Sequence, residues 1–207
     1  MYTPIHFKTE DLPEIHGIMR AARLSTLVTA HADGLIGTPL PLFLDESEGP
    51  FGTLYGHLAK PNPQWKTPVT SEGLVIFNGP DAYVTPSWYV AKREHGKVVP
   101  TWNYVAVHTY GPVEFFEDAD RLLTVVTRLT GIYESGREPP WQVTDAPPDF
   151  IQGQLRGIVG LRIPITRIEG KRKLSQNRKT EDREGVAAGL AVSDRPEERE
   201  VSTMIPR

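Results

Sequence analysis

Residues 24–44, LSTLVTAHADGLIGTPLPLFL, narrow the choice of fold more than any other stretch of the chain. Residues 24–30, rich in Leu, Val and Thr, read as a strand. HADG follows as a turn in which Gly34 can take positive φ. Ile36, Thr38, Leu40, Leu42 and Leu44 then alternate onto one face of a second strand. Pro39 and Pro41 lie two apart, so the N–H groups they lack would have pointed to the same edge. That edge cannot carry a full ladder, which suits a strand at a sheet margin or beside a ligand.

The rest of the chain repeats this pattern. FGTLYGH (51–57) reads as a strand, GLVIFNG (73–79) as a buried strand, and DAYVTPSWY as an extended piece stopped by Pro86. AKREHGK is a polar excursion, NYVAVHTYG a further strand, and IVGLRIPITRIEG a strand that alternates Val159, Leu161, Ile163 and Ile165. Helical spacing is confined to a few segments. Leu12, Ile15, Ile18 and Met19 predict a helix over 11–23, with Thr9 as a cap and Pro13 in the first turn. Leu122, Val126, Leu129 and Tyr133 predict one over 118–133, capped by Asp118. A short helix is expected near 150–156, after the Pro-rich loop PPWQVTDAPPD, and TEDREGVAAGLAV is helix-compatible. About seven strands in consecutive runs with three or four helices predict a mainly β, mainly antiparallel barrel with peripheral helices, not a Rossmann fold. Residues 1–192 are expected to form a single domain and 193–207 a charged, loosely ordered tail.

Composition removes several chemistries. There is no cysteine, so disulfides, thiolate metal sites, iron–sulfur clusters and Cys nucleophiles are excluded. The six histidines form no H-x-H or H-x-x-x-H pair, and no metal site is expected. G-x-S-x-G, G-x-G-x-x-G and the P-loop are all missing. The N-terminus has no apolar h-region, and no apolar run approaches the ~18 residues of a membrane span. The expectation is a soluble, cytoplasmic protein. A net charge of -3 argues against a general nucleic-acid binder.

Three stretches carry candidate chemistry. In GHLAKPNPQW a strand ends at His57 and a short helix begins, with Pro61 or Pro63 in its first turn. Lys60 there makes either a phosphate cradle with the helix N-terminus or a plain solvated turn. Trp88, Tyr89, Trp102 and Tyr104 lie in two Pro-stiffened segments and either flank a flat cofactor ring or fill the core. KRKLSQNRK (171–179) is basic at five of nine positions. Its Lys, Arg, Ser, Gln and Asn suit phosphate and ring carbonyls. A DNA reading competes, but Glu181, Asp182 and Glu184 largely neutralise the block.

GHLAKPNPQW, GPDAYVTPSWY, VPTWNYVAVHTYG and KRKLSQNRKTEDREGVAAGL together resemble the PaiB-like family of FMN-binding negative transcriptional regulators. The likeness runs in order from the N-terminal helix to about residue 190. It implies a flavin-reductase-like split β-barrel related to pyridoxamine phosphate oxidase, homodimeric, with two FMN sites in the dimer interface. By position, His57, Lys60 and Asn62 would serve the FMN phosphate, and Thr38 and Leu40 would run beside the flavin. Lys173, Ser175, Gln176 and Asn177 would close the site from the partner subunit. One departure is Pro39, where the family pattern carries His after the Thr. The resemblance implies a negative transcriptional regulator or flavin-dependent sensor, with DNA as a partner on the family label alone. An FMN-dependent oxidoreductase passing electrons from a reduced nicotinamide to a small acceptor is the alternative. A heme-binding split barrel with His57 or His108 as axial ligand is a further one, and a dimer with an empty site is the structural reading.

Overall fold

Alternating apolar residues, punctuated by Gly and Pro, give strands that follow one another directly along much of the chain. The computed structural model describes residues 1–207 and contains ten strands and six α-helices. In chain order these begin with β1 (Lys8–Thr9), α1 (Leu12–Ala21), β2 (Ser25–His31), β3 (Gly34–Leu40), β4 (Phe43–Asp45) and β5 (Thr53–Ala59). The middle of the chain supplies β6 (Gly73–Val84), α2 (Val90–His95), β7 (Thr101–Gly111), β8 (Glu114–Phe116) and α3 (Ala119–Glu134). The last third supplies α4 (Pro148–Leu155), β9 (Ile158–Pro164), β10 (Arg167–Lys173), α5 (Thr180–Ala191) and α6 (Pro196–Met204). No helix is long and apolar enough to cross a membrane.

The chain forms two compact units. One comprises Met1–Ala21, Asn78–Val107 and Glu169–Arg207, the other Ala22–Phe77 and His108–Ile168. The strands β6, β7 and β10 supply residues to both.

In the second unit, β2 and β3 form the expected hairpin, in register from Ser25↔Leu40 to His31↔Gly34. β3 ends the strand order β6-β2-β3, so Pro39 falls on a margin as predicted. The single strand expected across 36–44 is corrected: it stops at Leu40, and β4 joins a second sheet of order β4-β5-β9-β8. Pro41 has no N–H to continue the ladder. The inward set changes phase across the break, from Leu40 to Phe43. Leu42 crosses over Gly56, where an added Cβ would sit 2.4 Å from the Leu42 Cδ2. Helix α3 starts at Asp118, whose carboxylate accepts the Arg121 N–H at 2.9 Å. Its inward face is Leu122, Val125 and Leu129, packed with Phe43, Phe116 and Leu155.

In the first unit the strand order is β1-β10-β7-β6. The two pieces expected on either side of Pro80 are one strand, β6. β2 pairs with residues 74–76 only, so Pro80 lies where that ladder has ended. The polar excursion contains the helix α2. The tail expectation is also corrected. Residues 196–204 form α6, and Val201 and Ile205 enter a core with Leu174, Val186, Leu190, Val105 and Tyr89. Two apolar side chains four apart outweigh the charged residues around them. Helix α5 comes close to Trp88, because Gly185 and Gly189 present no side chain; a Cβ at Gly189 would lie 2.3 Å from the indole.

Candidate functional site

The second unit holds the junction after β5. His57 lies opposite Gly160 of β9. Its Nδ1 is buried without a hydrogen-bond partner. Burial pulls the imidazole pKa below its ordinary value, so the ring is neutral near pH 7. Beyond β5 the Lys60 N–H donates to Gly157 O at 2.8 Å. Asn62 then caps a single 3-10 turn, Pro63–Trp65, by accepting the Gln64 N–H at 2.9 Å. The Asn62 amide donates to Thr38 Oγ1 at 3.1 Å and so ties the junction to β3. Gln64, which the sequence reading missed, is fully buried and donates to Thr29 Oγ1 at 2.9 Å and Ile36 O at 3.2 Å. Its Oε1 is buried and unpartnered.

Of the two readings of this junction, the geometry supports the plain turn better than the helix-end cradle. One 3-10 turn carries little macrodipole, Pro63 has no N–H, and Asn62 already takes the next one. The Lys60 ammonium pairs with Glu117, and both side chains are half-exposed. Thr38 and Asn62 are brought together. Leu40 is 3 % exposed, and its carbonyl accepts the Ser25 hydroxyl at 3.0 Å, so its side chain is core.

The first unit holds the basic block. Lys171 is only 7 % exposed; its ammonium donates to Tyr2 O at 3.1 Å and lies 5.0 Å from the Tyr104 ring centre. Arg172 pairs with Glu14. Lys173 donates to Thr101 Oγ1 and, at 2.6 Å, to Trp102 O. Arg178 stacks 4.9 Å from the Tyr89 ring centre. Of the five cations only Lys179 is exposed, so the block is not a solvent-facing DNA patch. Ser175 and Asn103, 4 % and 1 % exposed, share a hydrogen bond of 3.0 Å. Gln176 is occupied within the loop: its Oε1 accepts the Leu174 N–H and its Nε2 donates to Arg172 O. Lys173, Ser175 and Asn177 line a recess of about 50 Å³ with Thr101, Asn103 and Arg178. Asn103 was missed, although a polar residue at an inward position of an alternating strand is a readable signal. The four aromatics divide: Tyr89 and Trp88 belong to the core, while Trp102 and Tyr104 line a groove with Asn78, Gly79, Asp81 and Val105.

A mainly antiparallel sheet with peripheral helices is the architecture of the flavin-binding split barrels. Among solved structures, the FAD and heme binding protein of Mycobacterium smegmatis superposes with a TM-score of 0.61 at 13% identity, covering 88% of this chain and 80% of that one. The flavocytochrome of Azotobacter vinelandii gives 0.59 at 12% identity, over 80% of this chain and 69% of that one. These likenesses show the fold, a split β-barrel. The family described as "Putative FMN-binding domain" matches residues 1–167. The Bacillus subtilis (strain 168) "Protease synthase and sporulation protein PAI 2" is 35% identical over 206 residues, 99% of this chain and 96% of that protein. An uncharacterised protein of Aspergillus fumigatus is 34% identical over 233 aligned residues, 90% of this chain and 88% of its own. The chain belongs to this PaiB-like family of FMN-binding domains, and FMN is the cofactor of the family.

The donor chemistry of both units fits that cofactor. FMN presents a phosphate, ribityl hydroxyls and ring carbonyls. The recess of the first unit offers two cations, two hydroxyls and two amides. The junction of the second unit offers the Thr38 hydroxyl, the Asn62 amide and the unpartnered His57 Nδ1.

Proposed function

We propose that this protein is a homodimeric, FMN-dependent sensor with a negative regulatory role. The observation that carries the reading is the 35% identity along 99% of the chain to a protein named for sporulation. Bound FMN supplies electron-transfer chemistry, and the chain supplies binding and placement. In this reading Thr38 and Asn62, already linked, form one polar contact, and Lys60 and the neutral His57 of the same junction are further candidates. Lys173, Ser175 and Asn177, contributed by the second copy of the dimer, form the other, and Gln176 holds their loop in shape. Leu40 backs the junction from the core. Trp102, 49 % exposed, meets Tyr83 edge-to-face at 5.9 Å on the β6–β7 face, which supports coverage of that face by a second copy. Any DNA contact uses a surface other than 171–179.

The test is direct. Sedimentation should give a dimer mass, and NAD(P)H should not be turned over with common acceptors. DNA retardation at physiological salt should be sequence-specific. A monomer, or retardation only at low salt with any sequence, refutes the regulatory reading. Steady turnover of NAD(P)H replaces it with the oxidoreductase.

A second reading has one observation in its favour. The neutral His57, with its Nδ1 unpartnered, is in the form that ligates heme iron, and the Mycobacterium neighbour is named as binding heme. A heme absorption band in the purified protein, lost in His57→Ala, would establish it.

A further inference from the structure

The recess in the first unit is lined by two cations and no carboxylate. Other half-buried cations have carboxylates: Arg172 has Glu14, and Arg162 has Glu48 and Glu114. Lys173 and Arg178 have none. Lys173 meets neutral groups, Thr101 Oγ1, Trp102 O and, at 6.0 Å, the Tyr104 ring centre. Arg178 meets the Tyr89 ring. Burial, then the like charges of Lys171 and Arg178, hold the Lys173 ammonium below its ordinary pKa. An arrangement of cations that repel one another around a recess is costly without an anion.

The neutral groups point the same way. Thr101 accepts from Lys173, which leaves its own hydroxyl proton to donate. Ser175 and Asn103 hold each other, both nearly inaccessible. Ser175 is the single non-glycine residue with positive φ, at 64°. That conformation is held against its own cost by the surrounding packing, as is common at ligand clamps. A volume of about 50 Å³ suits one tetrahedral oxyanion and excludes a flavin ring. Lys60, the cation first expected at a phosphate, is by contrast neutralised by Glu117.

We propose that the recess formed by Lys173, Arg178, Ser175, Asn103 and Thr101 is a phosphate-binding site for a phosphomonoester. Lys173 and Arg178 supply the charge, and Ser175, Asn103 and Thr101 supply hydrogen bonds. The phosphate is either the end group of FMN, in which case the site rests on the FMN reading above, or that of a separate small ligand.

Three titrations on the full chain decide it: FMN, riboflavin and inorganic phosphate, each with wild type, Arg178→Gln and Lys173→Met. If the phosphate is the flavin's, wild type prefers FMN over riboflavin, phosphate competes with FMN, and each variant loses about tenfold or more of that preference. If it is a separate ligand's, phosphate binds the FMN-loaded protein, the variants weaken it about tenfold, and the FMN-to-riboflavin ratio stays fixed. The site is overturned if phosphate neither competes nor binds alongside, or if both variants leave all three affinities unchanged. Wild type that takes up no flavin refutes the proposed function, while the phosphate titration still reads the recess. Should a variant fail to fold, acylation of Lys173 in wild type, followed by mass spectrometry, gives the answer. Phosphate should slow that reaction and leave acylation of Lys92 unchanged; equal rates with and without phosphate overturn the site.

Discussion

Asn103 and Ser175 are the point at which β7 holds the basic loop, and their coupling can be measured. Asn103→Ala removes a net hydrogen bond worth about 0.5–1.5 kcal/mol and leaves the Ser175 hydroxyl buried without its partner, at a further ~1–3 kcal/mol. The single variant should therefore lose about 1.5–4.5 kcal/mol in urea unfolding. Ser175→Ala strands the Asn103 amide in the same way but keeps the φ of 64°. Ser175→Gly strands the amide too, yet relieves the left-handed backbone, and should be milder than Ser175→Ala by roughly 1 kcal/mol. Once both polar groups are gone no partner is left stranded. The double variant Asn103→Ala/Ser175→Ala should cost less than the sum of the singles by about 1–3 kcal/mol. The assay is a double-mutant cycle of urea midpoints at fixed slope. Additivity within ~0.5 kcal/mol would show that the two side chains do not share a bond, and would remove the physical basis for the loop's shape.

Other predictions follow from single contacts. Asn62→Ala leaves the Gln64 N–H and Thr38 hydroxyl without their partner and should cost about 1–2 kcal/mol, read as a lower urea midpoint. Gly189→Ala drives a methyl into the Trp88 indole and should cost about 1–3 kcal/mol, with a changed Trp fluorescence spectrum. Removing 196–207 takes Val201 and Ile205 out of the core and should lower the melting temperature by several degrees; an unchanged value would contradict the docking of α6. Asp45 has its pKa lowered from 3.8 to about 2, first by its hydrogen bond to Arg128 and then by Ser47. A depressed carboxylate contributes stability above its unfolded pKa and loses it as pH falls, here between about 4 and 2. Asp45→Asn should flatten that part of the pH–stability curve, by under ~1 kcal/mol at this exposed pair.

The sequence was legible where one local signal decided the outcome. The β2–β3 hairpin followed from alternation around a turn, and α3 from its spacing and the Asp118 cap. It misled where a tertiary contact decided. Pro41 reads as an interruption of one strand, but the move of residues 43–45 to another sheet depends on a partner, β5, that no local pattern names. The charge of 193–207 hid two core residues, Val201 on α6 and Ile205 just after it. The same holds for the candidate site. KRKLSQNRK reads as a basic block for an anionic ligand or DNA, yet Lys171, Arg172 and Lys173 find partners in Tyr2, Glu14 and Trp102, about 70 to 170 residues away. Lys60 and Asn62 were readable as a junction, but the partner of each, Glu117 and Thr38, was not.

The absorption spectrum of the freshly purified protein, with mass spectrometry of the released ligand, tests the central claim most directly. Flavin bands and released FMN are expected, or their stoichiometric appearance when FMN is added to colourless protein. Protein that stays colourless after FMN is added, or that carries heme in its place, would contradict it.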